Sequence, residues 1–254
     1  MSTPRALVVR APGTNRDGDV AFALDQAGAR SQRALLGQVI ENPTLLHESQ
    51  LLVIPGGFSF ADALGAGRLF ALELVTRLGD ELRAFVAAGK PVLGICNGFQ
   101  VLVRTGLLPG GDSGASVALG HNQNAAGERV PFVCDWVTLE PLSTRSIWTA
   151  PLTEIGDWIE CPIAHGEGRF VCSDDTLAAL TANDQIAFRY TSPNPNGSVA
   201  DVAGICDDTG LVLGMMPHPE NHVVARQHPQ YVRGHRFGLA NALFTAGVTH
   251  AAAL

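Results

Sequence analysis

Pro91-Val92-Leu93-Gly94-Ile95-Cys96-Asn97-Gly98-Phe99-Gln100 is an apolar run that breaks at a cysteine with a glycine two residues to either side, then resumes with helical spacing. The pattern predicts a strand, a sharp turn and a helix, with the turn lifting the Cys96 sulfur out of the core. Glycine at 94 and 98 has a steric reason, because a tight strand-to-helix turn leaves no room for side chains beside the nucleophile. The same reading puts Cys96 at a helix N-terminus. Unpaired N–H groups and the positive dipole end there favour a thiolate and can donate to an oxyanion. A cysteine buried only for packing is the competing reading of this segment.

Working outward, Ala6-Leu7-Val8-Val9 reads as a strand, 19–27 as a helix stopped by Gly28, and 50–54 as an apolar strand halted by Pro55-Gly56-Gly57. A helix is expected over 69–88, capped by Gly89, before the strand into Cys96. Strand, helix, strand with short Gly/Pro punctuation predicts right-handed crossovers and a doubly wound, mostly parallel α/β sheet with helices on both faces. Sites in such sheets lie at the carboxyl ends of strands, which puts Gly57 and Cys96 on one crevice. Residues 58–67 between them read as a glycine-bearing loop or lid. From about Val130 the pattern adds β elements at 133–139, 158–164, 185–190, and a hairpin of 202–206 with 211–216 around Asp207-Asp208-Thr209-Gly210. A closing helix is expected over 231–248. No repeat or flexible linker interrupts the chain, so residues 1–254 are expected to form one domain.

The bulk numbers set limits. The chain has 254 residues, 46% hydrophobic and only 16% charged, the balance of a compact globular protein. A net charge of −7, with 17 basic against 24 acidic residues and no basic cluster, argues against a nucleic-acid binder. No apolar stretch is long enough to span a bilayer, and no signal-peptide h-region follows Met1. Cys96, Cys134, Cys161, Cys172 and Cys206 are odd in number and form no Cys-x-x-Cys pair. That usage predicts a reducing cytoplasm and neither a disulfide framework nor a zinc site, so no metal is expected.

A cysteine nucleophile needs a base, and the base needs an orienting group. His165-Gly166-Glu167 and His218-Pro219-Glu220 each place a histidine and a glutamate two residues apart, on one side of an extended backbone. The second pair is the better built: prolines at 217 and 219 stiffen it, and the strand before it delivers it to a sheet end. The glycines at 166 and 168 suit a binding loop instead. For His218 the plain alternative is a turn residue at a helix start, with Glu220 complementing the dipole.

These segments resemble class I, triad-type glutamine amidotransferases. Gly94-Ile95-Cys96-Asn97-Gly98-Phe99-Gln100, Pro55-Gly56-Gly57-Phe58-Ser59 and Met215-Met216-Pro217-His218-Pro219-Glu220 carry the likeness. Within that class, Pro12-Gly13-Thr14-Asn15, Gly106-Leu107-Leu108-Pro109, Pro162-Ile163-Ala164-His165-Gly166-Glu167-Gly168 and Asn194-Pro195-Asn196-Gly197-Ser198 are similar to the glutaminase subunits of phosphoribosylformylglycinamidine synthases, in purine biosynthesis. Three departures stand out. Phe60-Ala61-Asp62 replaces an expected Tyr-Gly-Asp, Asn221 stands where arginine is usual, and insertions near 112–129 and after Asn221 lengthen the chain.

The resemblance implies a flavodoxin-like fold and a reaction. Cys96 attacks the side-chain amide of glutamine, His218 moves the proton and Glu220 orients it. Gly57 and Asn97 donate backbone N–H groups to the oxyanion, and Gln100 contacts substrate. It further implies that the ammonia passes to a large synthetase subunit, with a small accessory subunit in the same complex. No Gly-x-x-x-x-Gly-Lys-Ser/Thr loop occurs here, so no cofactor is expected in this chain, and ATP and Mg belong to the partner. The alternatives are a glutaminase subunit of another amidotransferase, a cysteine hydrolase or redox protein on a similar fold, and a non-catalytic subunit.

Overall fold

The computed structural model describes residues 2–111, 117–191 and 193–254, so part of the 112–129 insertion lies outside the described residues. The first half follows the expected alternation. β1 (Arg5–Arg10) leads through α1 (Asp17–Gln26) to β2 (Arg30–Leu35), and the short helices α2 (Leu36–Glu41) and α3 (Thr44–His47) lead back to β3 (Leu51–Ile54). α4 (Arg68–Ala87) crosses to β4 (Val92–Ile95), and α5 (Asn97–Thr105) starts directly after Cys96. α4 buries Phe70, Leu74, Leu78, Leu82 and Phe85, the helical spacing that made it legible. The edge strand β2 escaped the sequence pattern because Arg30, Gln32 and Arg33 face water and leave no apolar alternation to read.

The second half supplies β5 (Val117–Gly120), β6 (Val133–Pro141), α6 (Ala150–Ile155), β7 (Ile159–His165), β8 (Arg169–Cys172), α7 (Asp174–Ala182), β9 (Ile186–Tyr190), β10 (Val202–Cys206), β11 (Val212–Met215) and α8 (Asn241–Ala252). The central sheet is nine-stranded, in the order β2-β1-β3-β4-β11-β10-β9-β6-β7. β2, β1, β3, β4 and β11 run parallel, and the sheet turns antiparallel from β10 onward. α4 packs on α5 and α1 packs on α8, covering the two faces. The expected hairpin is β10 and β11, closed by the Asp207–Gly210 turn.

One pairing decides the site. β11 returns from the antiparallel half to lie beside β4, in register from Val212↔Val92 to Met215↔Ile95. The Cys96 N–H then donates to the Met215 carbonyl at 2.8 Å, so the chain leaves both strands at the same level of the sheet.

Two expectations need correction or refinement. The closing helix starts at Asn241, not near Tyr231, because Gly234 (φ 98°) and Gly238 (φ 71°) take left-handed backbone and Tyr231–Arg233 makes only a 3₁₀ turn. The 58–67 loop is a chain of left-handed residues: Phe60, Ala61, Asp62 and Leu64 all have positive φ. Ala61 (φ 56°, ψ 27°) sits where glycine was expected, and a Cβ in that region costs about 1 kcal/mol. Ala61→Gly is therefore expected to raise the unfolding free energy by about 0.5–1 kcal/mol in a urea titration; a loss of stability would show that the loop is not held in this conformation.

Candidate active site

Cys96 has φ 52° and ψ −107°, a conformation that costs a non-glycine residue about 1–3 kcal/mol and persists only where its surroundings impose it. The surroundings are the two glycines. A Cβ on Gly98 would drive into the Ile54 carbonyl, and one on Gly94 would lie 2.5 Å from Leu102 Cδ1 and 2.7 Å from the Gly98 oxygen. α5 can thus lie directly on β3 and β4, which forces the turn at Cys96.

His218 leaves β11 just beyond Met216. Its N–H donates to the Pro162 carbonyl at 2.8 Å, which ties the segment to β7. Its Nδ1 lies 2.8 Å from Glu220 Oε1, with both side chains buried. A carboxylate only accepts, so Nδ1 carries the proton there and Nε2 is left for the sulfur. The imidazole and Cys96 adjoin: a Cβ on Gly56 would sit 2.7 Å from His218 Cε1 and 3.3 Å from Cys96 Cβ. Burial lowers the His218 pKa, but the Glu220 carboxylate and the Cys96 sulfur overcome it and raise the value to about 10. Such an imidazole takes a proton readily and holds it as an acid.

The two backbone N–H groups expected to act as oxyanion donors can be located in the structure. Among the described residues, neither the Asn97 nor the Gly57 N–H has a hydrogen-bond acceptor. The Gly57 turn (φ 136°) packs on Thr14 and Asn15, where a Cβ on Gly57 would lie 2.7 Å from the Asn15 nitrogen. The loop that follows is anchored on Asn97: Ser59 Oγ donates to Asn97 Oδ1 at 2.6 Å, and Asn97 Nδ2 donates to Asp62 Oδ1 at 3.2 Å. Gln100 lines the crevice, yet its Nε2 donates to the Glu167 carbonyl at 2.6 Å and its Oε1 accepts from Asn97 Nδ2 at 3.1 Å. In this structure it fastens the 165–168 loop to the elbow helix.

Cys96, Gly57, Gln100, His165 and Glu167 line one cavity of about 150 Å³, with Phe58 and Phe132 on its wall. That volume is below the ~300–1,000 Å³ of sites for drug-sized ligands and suits a small one. Phe58 and Phe132 stack with ring centres 6.4 Å apart, and both are about half exposed. His165 therefore does reach the site, but its environment is opposite to that of His218. Burial and the neighbouring His218 lower its pKa to about 4, so it is neutral at physiological pH.

Sequence reasoning missed Asn122, Phe132 and Gly56. Asn122 is fully buried and bonds to His165 and Gly168, but it sits in the polar run His121-Asn122-Gln123-Asn124, where nothing marks one asparagine as internal. Phe132 follows a proline in a loop with no periodicity, and Gly56 reads as half of an ordinary Gly-Gly turn.

A second cluster has the donor types of a metal site. Glu160 Oε2 lies 2.6 Å from His235 Nε2 and 3.4 Å from His228 Nε2. The two imidazoles, however, stack with centres 3.7 Å apart and planes 12° apart. A coordinated cation lies along the in-plane lone pair of each ring, and no point between stacked rings satisfies both. His228 Nδ1 also accepts the Gln230 N–H at 3.1 Å, which leaves the proton on Nε2 and turned towards Glu160. With His222 Nδ1 donating to the Glu160 carbonyl at 2.6 Å and the Glu160 N–H donating to Gly238, this cluster clamps the segment after Asn221 onto β7.

Residues 3–250 match the CobB/CobQ-like glutamine amidotransferase domain family. The phosphoribosylformylglycinamidine synthase subunit PurQ of Treponema denticola is 46% identical over 269 aligned residues, covering 97% of this chain and 98% of its own. That of a Nostoc species is 44% identical, covering 84% of this chain and 86% of its own. A chain in the structure of PurLQS from Thermotoga maritima superposes with a TM-score of 0.74 at 32% identity, over 98% of this chain and 99% of that one.

The buried neutral His165 makes a pH prediction. A histidine whose folded pKa lies below its unfolded value of ~6.5 adds full stability above that pH and loses it as pH falls through about 4. Its share is up to about 3 kcal/mol. His165→Gln should therefore flatten the fall in unfolding free energy between about pH 6.5 and pH 4; an unchanged slope would mean that His165 titrates in solvent contact.

Proposed function

Since the chain belongs to the CobB/CobQ-like glutamine amidotransferase family, we propose that Cys96, His218 and Glu220 are the nucleophile, acid–base and orienting groups with which it releases ammonia from glutamine. The chain is the glutamine amidotransferase subunit of a phosphoribosylformylglycinamidine synthase, in purine biosynthesis, and it works in a complex with a synthetase subunit and a small accessory subunit. The observation that carries the residue assignment is the strained Cys96 elbow beside the buried His218–Glu220 pair.

The Cys96 thiol proton passes to His218 Nε2, whose raised pKa favours holding it, and the sulfur then adds to the amide carbon. The oxygen takes up negative charge against the free N–H groups of Asn97 and Gly57; losing one such donor typically costs ~10²–10³ in rate. His218, held as an imidazolium by Glu220, then gives its proton to the departing nitrogen. This leaves ammonia and a γ-glutamyl thioester. Water, deprotonated by the now neutral His218, hydrolyses the thioester to glutamate and returns the thiol.

In this reading Gln100 acts by holding the Glu167 carbonyl and with it the 165–168 loop, a support for the substrate wall. The amination itself belongs to the synthetase subunit, where ATP and Mg would act. The family match over residues 3–250 and the continuous sheet favour one amidotransferase domain over residues 1–254. The five free cysteines suit a reducing cytoplasm, and among the described residues no helix is long and apolar enough to cross a membrane.

In the reconstituted complex, Cys96→Ala is expected to abolish glutamine-dependent synthesis and to leave ammonia-dependent synthesis at the level of the unmodified complex. Retained glutamine-dependent product would remove Cys96 from the mechanism. His218→Ala should lower glutamine turnover by about 10²–10⁴, and His165→Ala by far less. Glutamate formation assayed on both variants checks this, and the reverse order would exchange the roles of the two histidines.

A further inference from the structure

The His165 imidazole has one nitrogen committed and one free, and Asn122 decides which. Asn122 Nδ2 donates to the His165 carbonyl at 2.8 Å, and its Oδ1 accepts the Gly168 N–H at 3.0 Å, so the amide cannot be turned round. The same oxygen lies 3.1 Å from His165 Nδ1. An amide oxygen only accepts, so Nδ1 carries the ring proton and Nε2 is a bare lone pair. That Nε2 is buried, with no hydrogen-bond partner among the described residues. Protonation is a poor remedy, since burial and His218 both oppose a charge on this ring. A buried acceptor without a donor is costly, and natural sites keep one chiefly where something else supplies the donor. His165 lines the cavity of Cys96, and the preceding residue, Ala164, has its carbonyl 3.9 Å from the Cys96 sulfur.

We propose that His165 Nε2 accepts a hydrogen bond from the carboxamide NH₂ of glutamine and so lets the site favour glutamine over glutamate. The proposal rests on the glutaminase reading above. A carboxamide presents one oxygen, which takes the N–H groups of Asn97 and Gly57, and one NH₂, which needs acceptors. A carboxylate presents acceptors at both positions, and its second oxygen would face the His165 lone pair. A neutral imidazole locked in this tautomer attracts the substrate and repels the product. Proton transfer stays with His218; the task of His165 is discrimination, and the departure of ammonia ends its favourable contact.

The test uses the reconstituted complex with His165→Phe, which keeps a planar ring and removes the lone pair, and His165→Gln, whose amide oxygen can accept. The readouts are KM for glutamine and the inhibition constant of glutamate, with ammonia-dependent synthesis as the control for assembly. For His165→Phe we expect KM to rise on the order of tenfold, as for one lost hydrogen bond, with glutamate inhibition unchanged or stronger. His165→Gln should recover most of the loss. Parallel weakening of both ligands, or an unchanged KM, would overturn the proposal. If neither variant assembles, the Cys96→Ala complex decides through competition between glutamine and 2-amino-5-oxohexanoate, in which a methyl group replaces the NH₂. Binding of the ketone roughly tenfold weaker than glutamine supports the hydrogen bond, and equal binding overturns it. An unmodified complex that releases no ammonia from glutamine would instead defeat the glutaminase reading itself.

Discussion

The site depends on one strained residue. Cys96 is held at φ 52° because α5 must start directly on β3 and β4, and that close approach exists because positions 94 and 98 have no Cβ. The geometry that costs backbone energy also raises the sulfur above the strand ends and leaves the Asn97 N–H beside it without an acceptor among the described residues. The proposed nucleophile and oxyanion donor are thus products of a single turn. The second half of the chain brings the proposed base to the same place. β11, entering from the antiparallel side, lies in register with β4, so His218 emerges next to Cys96 although the two are far apart along the chain.

Two neighbouring buried histidines show how environment assigns roles. His218 faces a carboxylate and a sulfur, and those charges outweigh desolvation and raise its pKa to about 10. His165 faces an amide oxygen and another imidazole, and desolvation prevails, lowering its pKa to about 4. One ring is suited to carrying a proton and the other to staying neutral, a division in which burial acts on both and the partner decides.

Much of this was legible in the sequence because it is local. The elbow glycines, the strand of 51–54, the spacing of α4 and the proline-stiffened His218 segment each carry their steric reason within ten or so residues. What escaped depends on partners far along the chain. Asn122 matters only because His165 and Gly168 fold over it, β2 is recognisable only once β1 is beside it, and the stacked His228 and His235 gain meaning from Glu160 on β7. The tail reads in sequence as helix from residue 231 because its left-handed glycines look there like tolerable interruptions. Ala61 shows the converse: an expected glycine is absent, yet the left-handed backbone is kept.

In the proposed reaction Cys96, and no other thiol, attacks the side-chain carbonyl carbon of glutamine. A glutamine analogue bearing a diazoketone in place of the amide, added to the assembled complex and followed by peptide mass spectrometry, tests it most directly. One label per chain is expected, on Cys96, with glutamine protecting against it and the exposed Cys134 left free. A label on Cys134 or Cys172 instead, or labelling of Cys96 that glutamine does not suppress, would contradict it.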